Sequence, residues 1–435
     1  MYAVPRILRF QRAIFAVGFI AFWGFYGNVG SAADAPAPLL EAGRPVDWWF
    51  VYKLNVGSFP FCGDGVTRAC IFGGTVQDYR NGFSQQFLYA SSAESTLKSG
   101  NTCVGDTVSD PVGATFDQVY NGEYYYVIWN DQFYNDPDLP ACRGRTYCDI
   151  PWGHSKGMLA WNGAGAGFVM QVTTPDWPAA GNKNFPRTTD GNTLGCIAKD
   201  NNVKVSQHFF ALKLTKDDVV KVLFALHNAS VVTEHGNASI TNRQIINNGG
   251  PPDVRQLVES LGVISGSGSY TKEMLSSRVQ LISKPAGLPV PPWQMVSALL
   301  GRAPLKVATW RSTSKIPDTN DQTTIGCWDT TLLGEPRAAV ANATSGQWNG
   351  TPIGLEGGNS PNGNHAKIGV STTGSYAIFG DMNQEGTLDP VPGSGCGVHQ
   401  NARGGLFFVL EDEKLSSGLR DLMTPVGNTG SPPGR

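Results

Sequence analysis

Charge is scarce in this chain. Asp, Glu, Lys and Arg together make up 16% of its 435 residues, while Gly (53) and Pro (28) are abundant. That balance argues against a mainly helical protein and suits a chain rich in loops and strands that works outside the cytoplasm. No C-x-x-C pair occurs among the eight cysteines, which argues against a structural zinc site. Gly163, Gly165 and Gly167 lack the G-x-G-x-x-G spacing and fall between two strand patterns, so a dinucleotide loop is excluded. No His/Cys cluster with metal-ligand spacing is visible, and the sequence implies neither a metal nor a cofactor. Beyond residue 33 no stretch is long and apolar enough to span a bilayer, so no membrane partner is expected.

The N-terminus does carry an apolar run. Arg6, Arg9 and Arg12 precede it, and Ser31-Ala32-Ala33 supplies small residues for cleavage after it. The run holds three glycines and falls short of the ~20 residues a membrane helix needs. Residues 1–33 therefore read as a removable targeting segment. Its loss leaves 30 Lys+Arg against 35 Asp+Glu, a net charge of −5. A nucleic-acid ligand then requires a local basic patch or a low pH, where histidines gain charge. An exported chain with an even number of cysteines is expected to form disulfides. Cys62/Cys70 and Cys142/Cys148 are spaced for small local loops. The expected location is the medium, the periplasm or an acidic vesicle.

Along the chain, alternating or continuous β-branched and aromatic runs predict strands over 46–54, 124–129, 156–161, 168–173 and 203–212. Asn162-Gly163 is a hairpin turn. Thr215 caps a helix whose Val219, Val222, Leu223 and Leu226 share one face, and Asp253 starts a second. Residues 55–115 show little periodicity and read as loops. The Pro-rich stretch 285–292 is the clearest linker, dividing a first half (34–284) from a second (285–424). A short helix over 293–300 and strands over 305–310, 367–371, 375–379 and 406–410 follow, and the tail from 425 reads as disordered. The fold class expected is α+β, or α/β-like.

The chemistry gathers at two His-x-Lys triplets, His154-Ser155-Lys156 and His365-Ala366-Lys367, 211 residues apart. In an extended strand the first and third side chains of each triplet share a face. The first triplet is flanked by glycines, Gly153 and Gly157. Other landmarks are Trp48-Trp49-Phe50-Val51-Tyr52-Lys53, Asn130-Asp131-Gln132, Pro175-Asp176-Trp177-Pro178, Gly380-Asp381-Met382-Asn383 and Arg403-Gly404-Gly405. In this order and over roughly 45–410, the set resembles the deoxyribonuclease II family. The second triplet departs from that family's usual Asp-His-Ser-Lys at Asn364 and Ala366.

The resemblance implies a phospholipase D-like fold of two pseudo-symmetric β-rich halves flanked by helices, sharing one active-site cleft. It implies endonucleolytic cleavage of DNA at acid pH without a divalent metal, leaving 3′-phosphate ends. His154, Lys156, His365 and Lys367 are then the catalytic residues. One neutral imidazole attacks phosphorus; the other, protonated, serves the leaving oxygen; the lysines neutralise the phosphoryl oxygens. His154 is favoured as nucleophile. Asn383, Thr173 and Arg403 are candidate substrate-binding residues, with a surface ion pair the plainer role for Arg403. His208 reads as a core histidine, His227 and His235 as surface residues, and His399 lies near the site. Two other functions fit the triplets: a phosphodiesterase of the same superfold with another substrate, and an exported DNA-binding protein on a degenerate scaffold, for which Asn364 and Ala366 speak. The halves could close one cleft within a single chain, and a homodimer is compatible as well.

Overall fold

The computed structural model describes residues 34–60, 71–72, 86–133, 139, 142, 147–184, 192, 194, 204–234, 245–332 and 337–427. The targeting segment 1–33, the Cys62/Cys70 pair, His235 and most of the expected tail lie outside these residues. Among the described residues, no helix is long and apolar enough to cross a membrane.

The six residues of β1 (Trp48–Lys53) are all buried, because the strand is covered on both faces. Its alternation divides two environments. On one side Trp49 reaches α1 (Pro111–Tyr120), where its indole N–H donates to the Thr115 hydroxyl at 3.0 Å. On the other, Phe50 stacks on Phe379, with ring centroids 4.6 Å apart. β1 pairs antiparallel with β2 (Phe87–Ser91) and with β7 (Gln207–Leu214). β3 (Glu94–Ser99), β4 (Tyr125–Asn130), β5 (Lys156–Trp161), β6 (Gly167–Val172) and β8 (Ile246–Asn247) complete a sheet of order β3-β2-β1-β7-β6-β5-β4-β8.

The second sheet runs β12-β11-β15-β16-β17-β10-β9. Its strands are β9 (Thr271–Met274), β10 (Gln280–Lys284), β11 (Leu305–Ala308), β12 (Val340–Asn342), β15 (Ile368–Ser371), β16 (Tyr376–Gly380) and β17 (Gly405–Glu411). A separate hairpin joins β13 (Ser345–Trp348) to β14 (Thr351–Gly354). The sheets meet through apolar side chains: Phe379 of β16 also stacks on Phe210 of β7 at 4.5 Å, and Phe408 of β17 reaches Phe210. The outer face of the second sheet, with Ile282, Val307, Ile378 and Phe407, packs under α4 (Pro292–Leu299) around Trp293.

The two sheets share a chain order. β1-β7-β6-β5-β4 in the first matches β10-β17-β16-β15-β11 in the second, with every pairing antiparallel. In each, a helix precedes the last strand of this matching run (α1 before β4, α4 before β11). In each, a helix follows the central one: α2 (Lys216–Asn228) after β7, α5 (Glu413–Leu422) after β17. A third helix, α3 (Pro252–Glu259), lies between. The Pro-rich segment leads from β10 into α4, so β9 and β10 enter the second sheet ahead of it.

Residues 55–115 depart from the loop expectation. β2 and β3 form a hairpin whose register slips between Tyr89 and Ser91, and β3 is mostly exposed, so no clean alternation shows. α1 is buried nearly all round, which erases the 3.6-residue pattern. Its start is written in Asp110-Pro111: the Asp110 carboxylate accepts from the amides of Val112 and Gly113, and Pro needs no amide partner at the first helical position. α2 begins at the expected Thr215, with a reciprocal capping box to Asp218. β7 starts only at Gln207, because Ser206 leaves the sheet to bridge to Asn364.

Candidate active site

The flanking glycines of the first triplet are set by close approach. A Cβ on Gly153 would come within 2.5 Å of the Ala229 carbonyl, and one on Gly157 within 2.6 Å of the Met170 carbonyl. The chain can therefore lie flat beneath the C-terminal end of α2 and against β6. This seats His154 just ahead of β5. Its amide donates to the Gly404 carbonyl and its Nδ1 meets the Asp381 carbonyl, both at 2.8 Å. A carbonyl only accepts, so Nδ1 carries the proton, and Nε2 is left with its lone pair.

His365 is seated the same way from the other sheet. Its amide donates to the Ser206 carbonyl and its Nδ1 to the Thr173 carbonyl, both at 2.8 Å, with Gln207 Oε1 at 3.3 Å. Asp381 is the residue after β16, and Thr173 the residue after β6. Each histidine is thus oriented by the opposite sheet.

Both histidines line one cleft of about 380 Å³, together with Trp310, Asn383, Glu385 and Arg403. The triplet lysines are almost fully buried. Lys156 Nζ donates to Asp131 Oδ1 at 2.6 Å. Arg403 takes the other carboxylate oxygen at 2.8 Å and further donates to the carbonyls of Cys148, Trp152 and Gly153. Lys367 Nζ donates to the carbonyl of His365 at 2.6 Å, which leaves two of its three donors.

These charges shape one another. Burial, then Lys156, Arg403 and Lys367, holds His154 well below the usual imidazole range. Burial, then Lys367, Lys156 and His154, does the same to His365. Burial and Lys156 push Lys367 well down, and burial pushes Lys156 down. Burial works to raise the Asp131 carboxyl, but Lys156 and Arg403 outweigh it and hold it low. Asp381, whose carboxylate accepts from Gln171 and the Leu406 amide, is pushed up to about 7 by burial.

The other predicted residues fall as follows. Asn383 donates to Glu385 Oε2 at 2.9 Å, and its own side-chain oxygen is buried without a hydrogen-bond partner. Thr173 contributes its carbonyl to His365, while its hydroxyl donates to Gln207 and accepts from the His208 amide. Arg403 makes a buried ion pair, not a surface one. His208 is buried, as expected for a core residue, and its Nδ1 accepts from the Lys367 amide. His227 is half-buried against the Ser260 carbonyl, and His399 lines the cleft. Among the described residues, no three His, Cys, Asp or Glu side chains gather where they could hold a metal.

The departures at Asn364 and Ala366 have local explanations. Asn364 bonds through its amide side chain to both backbone groups of Ala366, which fixes the triplet's backbone. Ala366 is fully buried in the shared core. Its counterpart Ser155 accepts a hydrogen bond from the Trp129 indole at 2.8 Å. Sequence reasoning missed Trp310, Glu385 and Gln207. Trp310 was expected in a strand, but β11 ends at Ala308 and the indole stands edge-on to His365 at 5.1 Å. Glu385 accepts from the amides of Ser312 and Thr313 and fixes Asn383; its place two residues after Asn383 was the available signal.

No curated protein matches the chain. The family model described as deoxyribonuclease II matches residues 38–428, a span that takes in both triplets, Asp131 and Arg403. The chain belongs to the deoxyribonuclease II family, and it is a deoxyribonuclease, a hydrolase of phosphodiester bonds.

Proposed function

We propose that the protein is an exported acid endonuclease that cleaves DNA through a phosphohistidine, with side chains alone meeting the charge of the phosphoryl group. One observation carries this reading: two histidines, each held with Nδ1 protonated by a carbonyl of the opposite sheet, line one cleft beside two buried lysines. Neutral His154 attacks phosphorus through Nε2, and the P–O5′ bond breaks. Protonated His365 gives its proton to the departing 5′-oxygen. The now neutral His365 then takes a proton from water, whose oxygen displaces His154 and leaves a 3′-phosphate. Lys156 and Lys367 neutralise the non-bridging oxygens. The matching strand order of the two sheets supports a phospholipase D-like pair of halves.

Acid dependence follows from the electrostatics. His365 must be protonated, yet burial and its neighbouring cations depress its pKa, so the proton is present only at acid pH. His154 must stay neutral, and Arg403 is one cation more acting on it. The disulfides Cys142–Cys148 and Cys327–Cys396 support a site of action outside the cytoplasm.

The test is plasmid cleavage by the mature protein at pH 5 in EDTA, beside His154→Ala and His365→Ala. Nicking by the wild type alone, with label from a 3′-phosphorylated product trapped on His154, is expected. A wild type inert across a pH scan, with and without divalent metals, would sink the proposal.

A further inference from the structure

Two buried lysines outside the triplets occupy matching places in the two sheets. Lys53 ends β1 and pairs with Gln207 at the start of β7; Lys284 ends β10 and pairs with Gly405 at the start of β17. Both are buried to within about one per cent of full exclusion. Lys284 Nζ donates to the carbonyls of Asn401 (2.7 Å), Arg403 (2.9 Å) and Pro285 (3.3 Å). Three donors meet three acceptors, the geometry an ammonium fits and a neutral amine does not. Lys53 Nζ donates to the Val205 carbonyl at 2.7 Å.

The carbonyls they hold are not arbitrary. Arg403 immediately precedes Gly404, whose carbonyl seats the His154 amide. Val205 immediately precedes Ser206, whose carbonyl seats the His365 amide. Each lysine therefore grips the peptide next to the one that seats a histidine. A buried ammonium is costly to keep, and a well-packed apolar side chain would serve stability as well or better. Burial lowers both lysines to about 7, so at acid pH both carry the full set of donors.

We propose that Lys53 and Lys284 are positioning residues, one for each histidine of the cleft: Lys284 sets His154 through the 401–404 segment, and Lys53 sets His365 through the 205–206 segment. The proposal rests on the phosphodiester chemistry of the two histidines given above. It adds two residues to the machinery that touch neither substrate nor each other's histidine.

The experiment uses Lys53→Met and Lys284→Met in the full mature chain, with Lys53→Gln and Lys284→Gln as variants that keep two donors. Two readouts apply. Steady-state cleavage of a DNA oligonucleotide at pH 5 is expected to show kcat lower by about tenfold to a hundredfold, because a small misplacement of a reacting group has that effect. KM is expected to stay within about twofold, since the cleft walls are unchanged. The second readout needs no turnover: the Nδ1–H proton signals of 15N-histidine-labelled protein, assigned with His154→Ala and His365→Ala. Lys284→Met should shift or erase the His154 signal and spare that of His365; Lys53→Met should do the reverse. The Gln variants should fall between Met and wild type. Unchanged signals and kcat, both signals lost together in either Met variant, or a raised KM with normal kcat would each overturn the proposal. So would failure of all four variants to fold, which would assign the lysines to the fold alone. A wild type without activity defeats the proposed function, while the histidine signals still decide the lysine assignment.

Discussion

Asp131 is the point at which the site's charges balance, and Asp131→Asn tests that. The carboxylate is fully buried, and its two oxygens separately take Lys156 at 2.6 Å and Arg403 at 2.8 Å. Asn keeps the shape but removes the charge, leaving two buried cations facing a neutral amide. Breaking a buried pair from one side costs about 3–5 kcal/mol, because the remaining ion stays desolvated. With an unfolding entropy of roughly 2.1 cal/mol/K per residue, this amounts to a melting temperature lower by roughly 4–6 °C. A control comes from the exposed pair between Lys216 and Asp253, where solvent screens the charges and Asp253→Asn should leave the melting temperature nearly unchanged. The kinetic effect has a sign. Without the carboxylate the positive field on both histidines grows, so both imidazoles give up their protons at lower pH. The bell-shaped profile of kcat/KM should move bodily to lower pH, measured with a fluorogenic DNA oligonucleotide between pH 3 and 7 by stopped assay. An Asn variant that melts with the wild type and keeps its profile would refute the reasoning, because Lys156 and Arg403 would then be solvated well enough to need no counter-charge.

Two buried carboxyls should contribute less to stability as pH rises from about 4 to 7, against the opposite slope of the buried His154, His208 and His365, whose depressed imidazoles cost stability as pH falls. Burial lifts the carboxyls of Asp110 and Asp381 to about 7, above the ordinary 3.8 of the unfolded chain. Each contribution is thus complete below the unfolded pKa and lost as pH passes the folded one, by at most about 4 kcal/mol per group. Urea unfolding at several pH values should isolate the Asp110 share: Asp110→Asn, which keeps the cap acceptor for α1, should gain stability relative to the wild type as pH rises from about 4 to 7. The disulfides should differ in weight: Cys327–Cys396 closes 69 residues and Cys142–Cys148 only 6. Serine replacements should cost about 4 and about 2 kcal/mol on the chain-entropy account, read as shifts in the urea midpoint. Gly157→Ala places a methyl against the Met170 carbonyl and the Trp129 ring, and should lower stability by about 1–3 kcal/mol and cut activity with it.

Most of the central strands were legible because both sheets are covered and their strands read as unbroken apolar runs, as in Trp48–Lys53 and Gly405–Glu411. Elements at the margins were not. β3 has one buried residue in six, and α1 is buried on nearly every side, so neither shows a period. The triplets were legible as pairs, since a strand puts His and Lys on one face. Asp131 was visible as part of the Asn130-Asp131-Gln132 landmark but not as a partner of Lys156, since its role depends on Arg403, 272 residues away. Trp310 was hidden by a strand that stops two residues early. Lys53 and Lys284 were hidden by their setting: a lysine at the end of an apolar run looks like a solvated strand terminus, and only the tertiary structure shows that the sheets close over it.

The placement of the site follows from these long-range partners. Neither sheet holds its own histidine: the Asp381 carbonyl that orients His154 comes from the second sheet, and the Thr173 carbonyl that orients His365 comes from the first. The amide of His154 likewise rests on Gly404 and that of His365 on Ser206, again across the seam. A shift of one sheet against the other would move both histidines off their partners together. The stacked contacts of Phe379 with Phe50 and Phe210 are what resist such a shift, since an apolar interface at core density has few alternative registers. The aromatic seam and the histidine pair are therefore one device. The interior that holds the two sheets together also fixes the distance between the imidazoles, which is the spacing the proposed two-histidine mechanism depends on.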